Sequence, residues 1–170
     1  MSKNVIITGT SRGIGLELIK LFSNSGFNVL SLSRNITNAE KLNLNNTSFL
    51  PFDITKENDH LLVNKFISKN WKSVDILINN AGLLINKNFQ ETSLDDFNNV
   101  YNTNVFGVAR LIQVCLPFMK KNGQVINISS IGGVQGSVKF SGLSAYSSSK
   151  GALITLTEML AEEYKESKIN

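Results

Sequence analysis

A chain of 170 residues that is 42% hydrophobic and 18% charged predicts a globular protein with a substantial core. Its net charge of +4 comes from scattered basic residues, which argues against a nucleic-acid-binding surface. The chain has one cysteine (Cys115) and one histidine (His60). A single cysteine excludes an internal disulfide, and one residue of each type is too few for a His/Cys zinc site.

Apolar runs in the sequence are too short to cross a bilayer, and a short polar N-terminus leads directly into the first of them. We therefore expect no signal peptide, no membrane contact and a cytoplasmic protein. Cys115 lies in an apolar stretch and is expected in the core. His60 opens a helical segment and is expected on the surface.

Strand and helix patterns alternate from the N-terminus onwards. Residues 5–7 form a short apolar run that ends at a turn, which is typical of a buried strand. Gly26 is expected to end the first helix, and Gly123 to end the long helix that begins near Ser93 with Asp96 as its capping partner. Strands are predicted at residues 5–7, 29–33, 48–52, 74–79 and 125–129, and helices from residue 14 and at about 57–69, 93–121 and 145–166.

This alternation predicts an α/β fold, a doubly wound parallel sheet with helices on both faces. Ligands of such sheets bind outside the carboxyl ends of the strands. The motifs that carry chemistry in this sequence all fall at those ends.

A glycine-rich segment connects the first strand to the first helix with the spacing Gly-x-x-x-Gly-x-Gly, a variant of the dinucleotide fingerprint. Gly9 would permit the sharp turn, Gly13 the approach of a pyrophosphate to the helix N-terminus, and Gly15 close helix–strand packing. A glycine turn without a ligand is the alternative. The cofactor contacts predicted in this segment are Gly9, Ser11, Arg12, Gly13, Ile14 and Gly15.

The second strand ends in Ser33 and Arg34, both predicted to contact the cofactor. A dinucleotide without a 2′-phosphate usually meets an acidic residue at this distance from the glycines. An arginine suits a phosphate instead, and Arg12 offers a second cation. The pair favours NADP(H) over NAD(H), although either arginine alone would also fit an ordinary surface position.

Two further segments are predicted to contact the cofactor. Asp53 and Ile54 follow the third strand, where the carboxylate would accept a hydrogen bond from an adenine amino group or, alternatively, cap a helix. Asn80, Ala81 and Gly82 follow the fourth strand, where small residues would let the chain pass close to a ribose or would stabilise the centre of the sheet.

Tyr146 and Lys150 lie four residues apart in a predicted helix, so the phenol and the ammonium share one helical face. A neighbouring cation favours the phenolate electrostatically and would suit the tyrosine to acid–base work near neutral pH. The same spacing also occurs by chance in exposed helices. Its position downstream of the other motifs favours the catalytic interpretation.

Thr-Gly-x-x-x-Gly-Ile-Gly, Asn-Asn-Ala-Gly, a serine after the fifth strand and Tyr-x-x-x-Lys, in this order, resemble the short-chain dehydrogenase/reductase family. The resemblance covers essentially the whole chain. It implies one Rossmann-type domain over residues 1–170, a nicotinamide cofactor, and an oxidoreductase that transfers hydride between that cofactor and a carbonyl or alcohol compound.

The resemblance also assigns catalytic roles. Tyr146 would protonate the carbonyl oxygen, and Ser130, rather than Ser129, would hydrogen-bond it. Lys150 would assist Tyr146 and hold the nicotinamide ribose, and Asn104 would keep a water in a relay to Lys150. Tyr146 and Lys150 therefore count as cofactor contacts as well.

Family members commonly pair two long helices across a two-fold axis, so the resemblance implies a homodimer or homotetramer. The apolar faces expected to take part are those of Val105, Val108, Leu111, Ile112 and Cys115 on one helix and Leu153, Leu156 and Leu160 on the other.

The resemblance stops where a sixth strand would begin, which predicts a C-terminally incomplete sheet and a poorly built substrate site. A fragment of a longer oxidoreductase and a natural truncation both remain open at this point. The alternative function is a non-catalytic dinucleotide-binding module that senses NADP(H) or binds a partner.

Overall fold

The computed structural model describes residues 2–170 and contains a five-stranded parallel sheet. The strand order across the sheet is β3-β2-β1-β4-β5. The strands are β1 (Asn4–Thr8), β2 (Asn28–Ser33), β3 (Thr47–Pro51), β4 (Val74–Asn79) and β5 (Met119–Asn127).

Helices connect the strands, as the alternating pattern predicted. The α-helices are α1 (Gly13–Asn24), α2 (Thr37–Glu40), α3 (Glu57–Phe66), α4 (Leu94–Tyr101), α5 (Gly107–Cys115) and α6 (Ser144–Glu163). Two π-helical turns extend this set, at Ile67–Trp71 after α3 and at Asn102–Phe106 between α4 and α5.

Both faces of the sheet are covered, because strand side chains alternate between faces. In β1, Val5 and Ile7 pack in an apolar cluster with Ile19 of α1, whereas Ile6 packs in a second cluster with Leu111 of α5. All five residues of β1 are buried, as expected for the centre of a doubly wound sheet. Each fully buried aliphatic side chain contributes about 1.5–3 kcal/mol.

The centre of the sheet is also where its strand order reverses. β1 pairs with β2 on one side and with β4 on the other, so the carboxyl ends of β1 and β4 flank the topological switch point. A crevice opens at such a point because the connections leave it in opposite directions.

The helix predicted from Ser93 to Lys121 is shorter and interrupted. It begins as predicted, with a capping box between Ser93 and Asp96, but α5 ends at Cys115. A 3-10 turn containing Pro117 follows, and proline lacks the N–H that a continuing α-helix needs.

Strand β5 consequently starts at Met119, well before the predicted residue 125. Its pairing with β4 shifts register between Met119 and Gln124, so Gly123 lies in an irregular part of the strand. The prediction that Gly123 ends a helix was therefore wrong.

The sequence predicted an exposed His60 and a buried Cys115. The prediction for His60 was wrong, and the one for Cys115 is confirmed. His60 is buried rather than exposed, because its Nε2 donates to the Ile54 carbonyl at 2.8 Å and its ring packs edge-on against Phe52. Cys115 is fully buried in the core, and burial raises the pKa of its thiol to about 12. A thiol in this position is unreactive.

Within residues 2–170, none of the helices combines the length and the apolar character needed to cross a bilayer. The same residues contain no cluster of histidine, cysteine or acidic side chains suited to hold a metal ion.

Candidate active site

A cleft of about 780 Å³ lies at the carboxyl ends of β1 to β4, at the switch point of the sheet. The predicted cofactor residues that line it are Gly9, Ser11, Arg12, Gly13, Ile14, Ser33, Arg34, Asp53, Ile54, Asn80, Ala81 and Gly82. Gly15, Tyr146 and Lys150 are not part of its wall. The structure thus brings four separate segments of the sequence to one cavity.

The turn between β1 and α1 requires glycine at two positions. Gly9 has φ +71°, and a Cβ there would lie 2.8 Å from Ala81 Cα. Gly13 has φ +59° at the first residue of α1, and a Cβ there would meet no atom within 4 Å. The space beside Gly13 is therefore open to a ligand, next to the unpaired N–H groups of the helix start.

The end of β4 is tied to the end of β1. Thr8 Oγ1 accepts hydrogen bonds from the backbone N–H groups of Asn80 (3.0 Å) and Ala81 (2.9 Å). The Asn80 side-chain amide donates to the carbonyls of Thr8 (3.0 Å) and Gly9 (3.1 Å). The Asn80 amide group thus stabilises the centre of the sheet, which was one of the two roles expected of this segment.

Arg12 and Arg34 are both exposed and both line the cleft. The hydroxyl of Ser33 donates to the Asn35 carbonyl at 2.8 Å and so shapes the turn after β2. Asp53 lies close enough to Arg34 for the arginine charge to stabilise the ionised carboxylate. This end of the cleft therefore carries two cations and one carboxylate.

The Asp53 carboxylate closes a local turn. Its Oδ1 accepts from the backbone N–H (3.1 Å) and hydroxyl (2.8 Å) of Thr55. Partial burial disfavours the charged form, but these hydrogen bonds and the charges of Lys56 and Arg34 outweigh it, so the pKa of Asp53 is lowered. The carboxylate therefore remains ionised at neutral pH.

Tyr146 and Lys150 lie one turn apart on α6, as the spacing predicted. The Lys150 ammonium lies over the Tyr146 ring, 5.9 Å from its centroid, and donates to the Ile128 carbonyl at 2.6 Å. Lys150 is 4% exposed, and this burial lowers the pKa of its ammonium. Lys150 is thus fixed next to the phenol and is easier to deprotonate than an exposed lysine.

Asn104 is fully buried in the π-helical turn Asn102–Phe106. Its side chain clamps Leu83, accepting from the Leu83 N–H at 2.8 Å and donating to the Leu83 carbonyl at 2.9 Å. A Cβ at Gly82 would lie 3.6 Å from Asn104 Oδ1 and 3.7 Å from Lys150 Nζ. Asn104 and Lys150 therefore both border the space that the absent side chain of Gly82 leaves open.

The two serines after β5 have different partners. Ser129 donates to the Lys150 carbonyl at 3.0 Å and so faces α6. Ser130 Oγ accepts from the Gly132 N–H at 3.3 Å at the start of a 3-10 turn, an interaction that leaves its own proton free to be donated.

The segment between Ser130 and Tyr146 presents apolar side chains to solvent. Val138 is 75% exposed and Phe140 is 58% exposed. Two anchors hold the segment: the Lys139 ammonium donates to the Gly132 carbonyl at 2.8 Å, and the Gly142 carbonyl accepts from the backbone after β4.

Several cleft residues were not predicted from the sequence. Asn99, Asn102 and Thr103 have the spacing of one helical face, a signal that was present but not tied to any motif. Leu83 and Ile85 extend the segment that follows β4. The unpredicted residues of the cleft wall are Leu32, Asn35, Phe52, Thr55, Leu83, Ile85, Asn99, Asn102 and Thr103.

Curated proteins with similar sequences are oxidoreductases of several kinds. A fatty acyl-CoA reductase of Acinetobacter baylyi is 36% identical over 99% of this chain and 59% of its own length. An L-fucose dehydrogenase of Mus musculus is 35% identical over 94% of this chain and 59% of its own length. The chain thus spans about three fifths of the length of these relatives.

Solved structures share the fold. A short-chain dehydrogenase from Streptomyces avermitilis superposes with a TM-score of 0.93 at 31% identity, covering 100% of this chain and 64% of that one. A Pseudomonas aeruginosa RhlG/NADP active-site complex superposes with a TM-score of 0.88 at 26% identity, covering 99% of this chain and 69% of that one.

The family model for short chain dehydrogenases matches residues 3–170. Together with the Rossmann-like parallel sheet, this match shows that the chain belongs to the short chain dehydrogenase family.

Proposed function

We propose that this chain carries the dinucleotide-binding and catalytic residues of an NADP(H)-dependent oxidoreductase, one that transfers a hydride between the cofactor and a carbonyl or alcohol carbon. One observation carries the proposal: α6 holds Tyr146 beside a buried, fixed Lys150, and Lys150 and Asn104 border the same point at Gly82, in the cleft wall. Such a pairing suits proton transfer to an oxygen.

The cleft fits a nicotinamide dinucleotide by its shape and its charge. The open space at Gly13 and the start of α1 suit a pyrophosphate, since the free N–H groups and the helix dipole attract an anion. Arg12 and Arg34 would bind a 2′-phosphate, and Asp53 an adenine amino group. The bound cofactor supplies the hydride chemistry.

NADP(H) is favoured over NAD(H) in this proposal because the end of β2 carries Arg34 where a ribose-binding carboxylate would otherwise be expected. Asp53 is the nearby acid, but it follows β3 rather than β2, and its carboxylate is assigned to the adenine amino group in this proposal. The P. aeruginosa structure with NADP is consistent with this choice.

In the proposed reduction, Tyr146 gives a proton to the carbonyl oxygen of the substrate. Ser130 donates a hydrogen bond to the same oxygen and stabilises its developing charge. Lys150 holds a positive charge near the phenol, and its burial, which lowers its pKa, helps it to pass a proton onward. Asn104 keeps a water between Lys150 and solvent in this scheme.

The substrate we propose is a small-molecule carbonyl or alcohol compound with apolar substituents. Val138 and Phe140 supply exposed apolar surface in the segment that joins Ser130 to Tyr146. The Lys139 ammonium beside them donates to two backbone carbonyls and to Ser137 Oγ, so its three N–H donors are already used within the segment.

Spectrophotometry tests the function directly. Oxidation of NADPH is followed by the loss of its absorbance with a panel of carbonyl compounds graded in size and charge. Turnover of neutral apolar carbonyls is the expected result. Tight NADPH binding without turnover of any member would favour the non-catalytic dinucleotide-binding module instead.

Self-association is part of the proposal, but the surface differs from the one first expected. Val108, Leu111, Ile112, Cys115 and Leu153 are buried in the core of the chain and are not available to a partner. Besides Leu94 at the start of α4, the exposed apolar side chains on the same helical elements are Phe106, 58% exposed after α4, and Met159, 62% exposed on α6. These two side chains are the candidates for contact with a second copy.

Sedimentation velocity at micromolar concentration is expected to show a homodimer or homotetramer. The variant Phe106→Ser/Met159→Ser should shift the chain towards monomer, because it removes apolar area from the interface. Leu21→Ser is the matched control, since Leu21 is 59% exposed on α1, away from the proposed interface. A monomeric wild-type chain would contradict the prediction.

A further inference from the structure

Ser149 precedes Lys150 in α6 and is fully buried. Its Oγ donates to the Tyr146 carbonyl at 2.7 Å and accepts a hydrogen bond from Asn104 Nδ2 at 2.9 Å. One hydroxyl group therefore joins the helix that carries Tyr146 to the π-helical turn that carries Asn104.

The donors and acceptors of these hydrogen bonds fix the orientation of the Ser149 hydroxyl and of the Asn104 amide. A carbonyl can only accept, so the single proton of Ser149 is used on Tyr146, and Asn104 must offer its Nδ2 to the remaining lone pair. The backbone of Leu83 imposes the same orientation, because its N–H donates to Asn104 Oδ1 and its carbonyl accepts from Nδ2. The Asn104 amide is thus held from two sides in one orientation.

The network reaches the cleft through Leu83. Leu83 lines the cleft directly after Gly82, and its backbone is held only by Asn104 among the side-chain hydrogen bonds found in residues 2–170. A shift of the Asn104 amide would therefore move this wall of the cleft relative to Tyr146. Misplacing reacting groups by about 1 Å can cost about 10²-fold in rate.

We propose that Ser149 is a positioning residue of the active site, which sets the distance between the Tyr146–Lys150 face of α6 and the cleft wall at Leu83 by holding the Asn104 amide. The inference deepens the proposed function and rests on it for its kinetic consequence. Ser149 touches neither substrate nor cofactor in this assignment and acts through Asn104.

Ser148 provides a matched control on the same helix. Its hydroxyl also donates to a carbonyl three residues earlier, Ala145 at 3.1 Å, but Ser148 is exposed and accepts no hydrogen bond from another element. Ser149→Ala and Ser148→Ala therefore remove the same atom and the same type of local hydrogen bond, and only the first removes a link to Asn104.

Kinetics and hydrogen exchange test the assignment in the full chain. Ser149→Ala should lower kcat about 10-fold and change KM for the carbonyl compound by less than about 2-fold, since the loss lies in positioning rather than in binding. The Leu83 amide should exchange its hydrogen at least about 10-fold faster, because the partner of its N–H is no longer fixed. Ser148→Ala should match the wild type in all three measurements.

The inference would be overturned by a wild-type kcat in Ser149→Ala, or by Leu83 exchange that Ser149→Ala leaves unchanged. A uniform rise in exchange across the sheet would also overturn it, because that pattern indicates general destabilisation. If the wild-type chain shows no turnover, the proposed function fails, and the exchange at Leu83 alone decides whether Ser149 holds Asn104.

Discussion

Tyr146→Phe is expected to lower turnover by roughly 10²- to 10⁴-fold, the usual cost of losing a general acid. The substitution removes one hydroxyl from a half-buried ring and leaves the rest of α6 intact. The cleft wall contains no atom of Tyr146, so the dissociation constant for NADPH should change by less than about 3-fold. Steady-state kinetics and fluorescence titration of NADPH measure the two quantities.

Tyr101→Phe and Tyr164→Phe are the matched controls, because they remove the same hydroxyl from tyrosines on other parts of the chain. Both should keep wild-type turnover. A Tyr146→Phe variant that retains most of its activity would show that the proton comes from another group and that the assignment of Tyr146 is wrong.

Arg34→Asp is expected to weaken NADPH binding by about 10- to 100-fold, the cost of losing one or two hydrogen bonds to a charged group. The aspartate would also repel the 2′-phosphate. NADH lacks that phosphate, so its affinity should fall far less. Isothermal titration with both cofactors, at low and at high salt, measures the preference and its electrostatic origin.

Arg34→Gln and Arg110→Gln separate the local effect from net charge. Both variants lose one positive charge, but Arg110 lies on α5, where it pairs with Glu57 outside the cleft wall. Only the Arg34 variant should lose NADPH affinity. Equal affinities of the wild-type chain for NADPH and NADH would refute the proposed cofactor preference.

Local patterns in the sequence were sufficient for the fold class and for most of the cleft. Apolar runs bounded by turns identified all five strands, since a strand buried on both faces must be continuously apolar, but they put the start of β5 too late. The glycines before α1 and the small residues after β4 were identifiable because close backbone approach tolerates few other side chains. Parallel connectivity then requires the segments after β1 and β4 to meet.

Contacts between distant segments decided which of the remaining residues are buried. His60 was expected on the surface because a helix start is usually exposed, yet the Ile54 carbonyl and the Phe52 ring bury it. The apolar residues of α5 could serve equally as core or as interface in the sequence, and only their packing against the sheet assigns Val108 and Leu111 to the core.

The residues proposed to be catalytic show the same division. Spacing alone placed Tyr146 and Lys150 on one helical face, because helical periodicity is local. No local pattern placed Lys150 against the Ile128 carbonyl or Ser149 against Asn104, since these partners are 22 and 45 residues apart in the sequence. Such contacts arise only when α6 and the π-helical turn pack together, so the tertiary structure alone determines how the site is held.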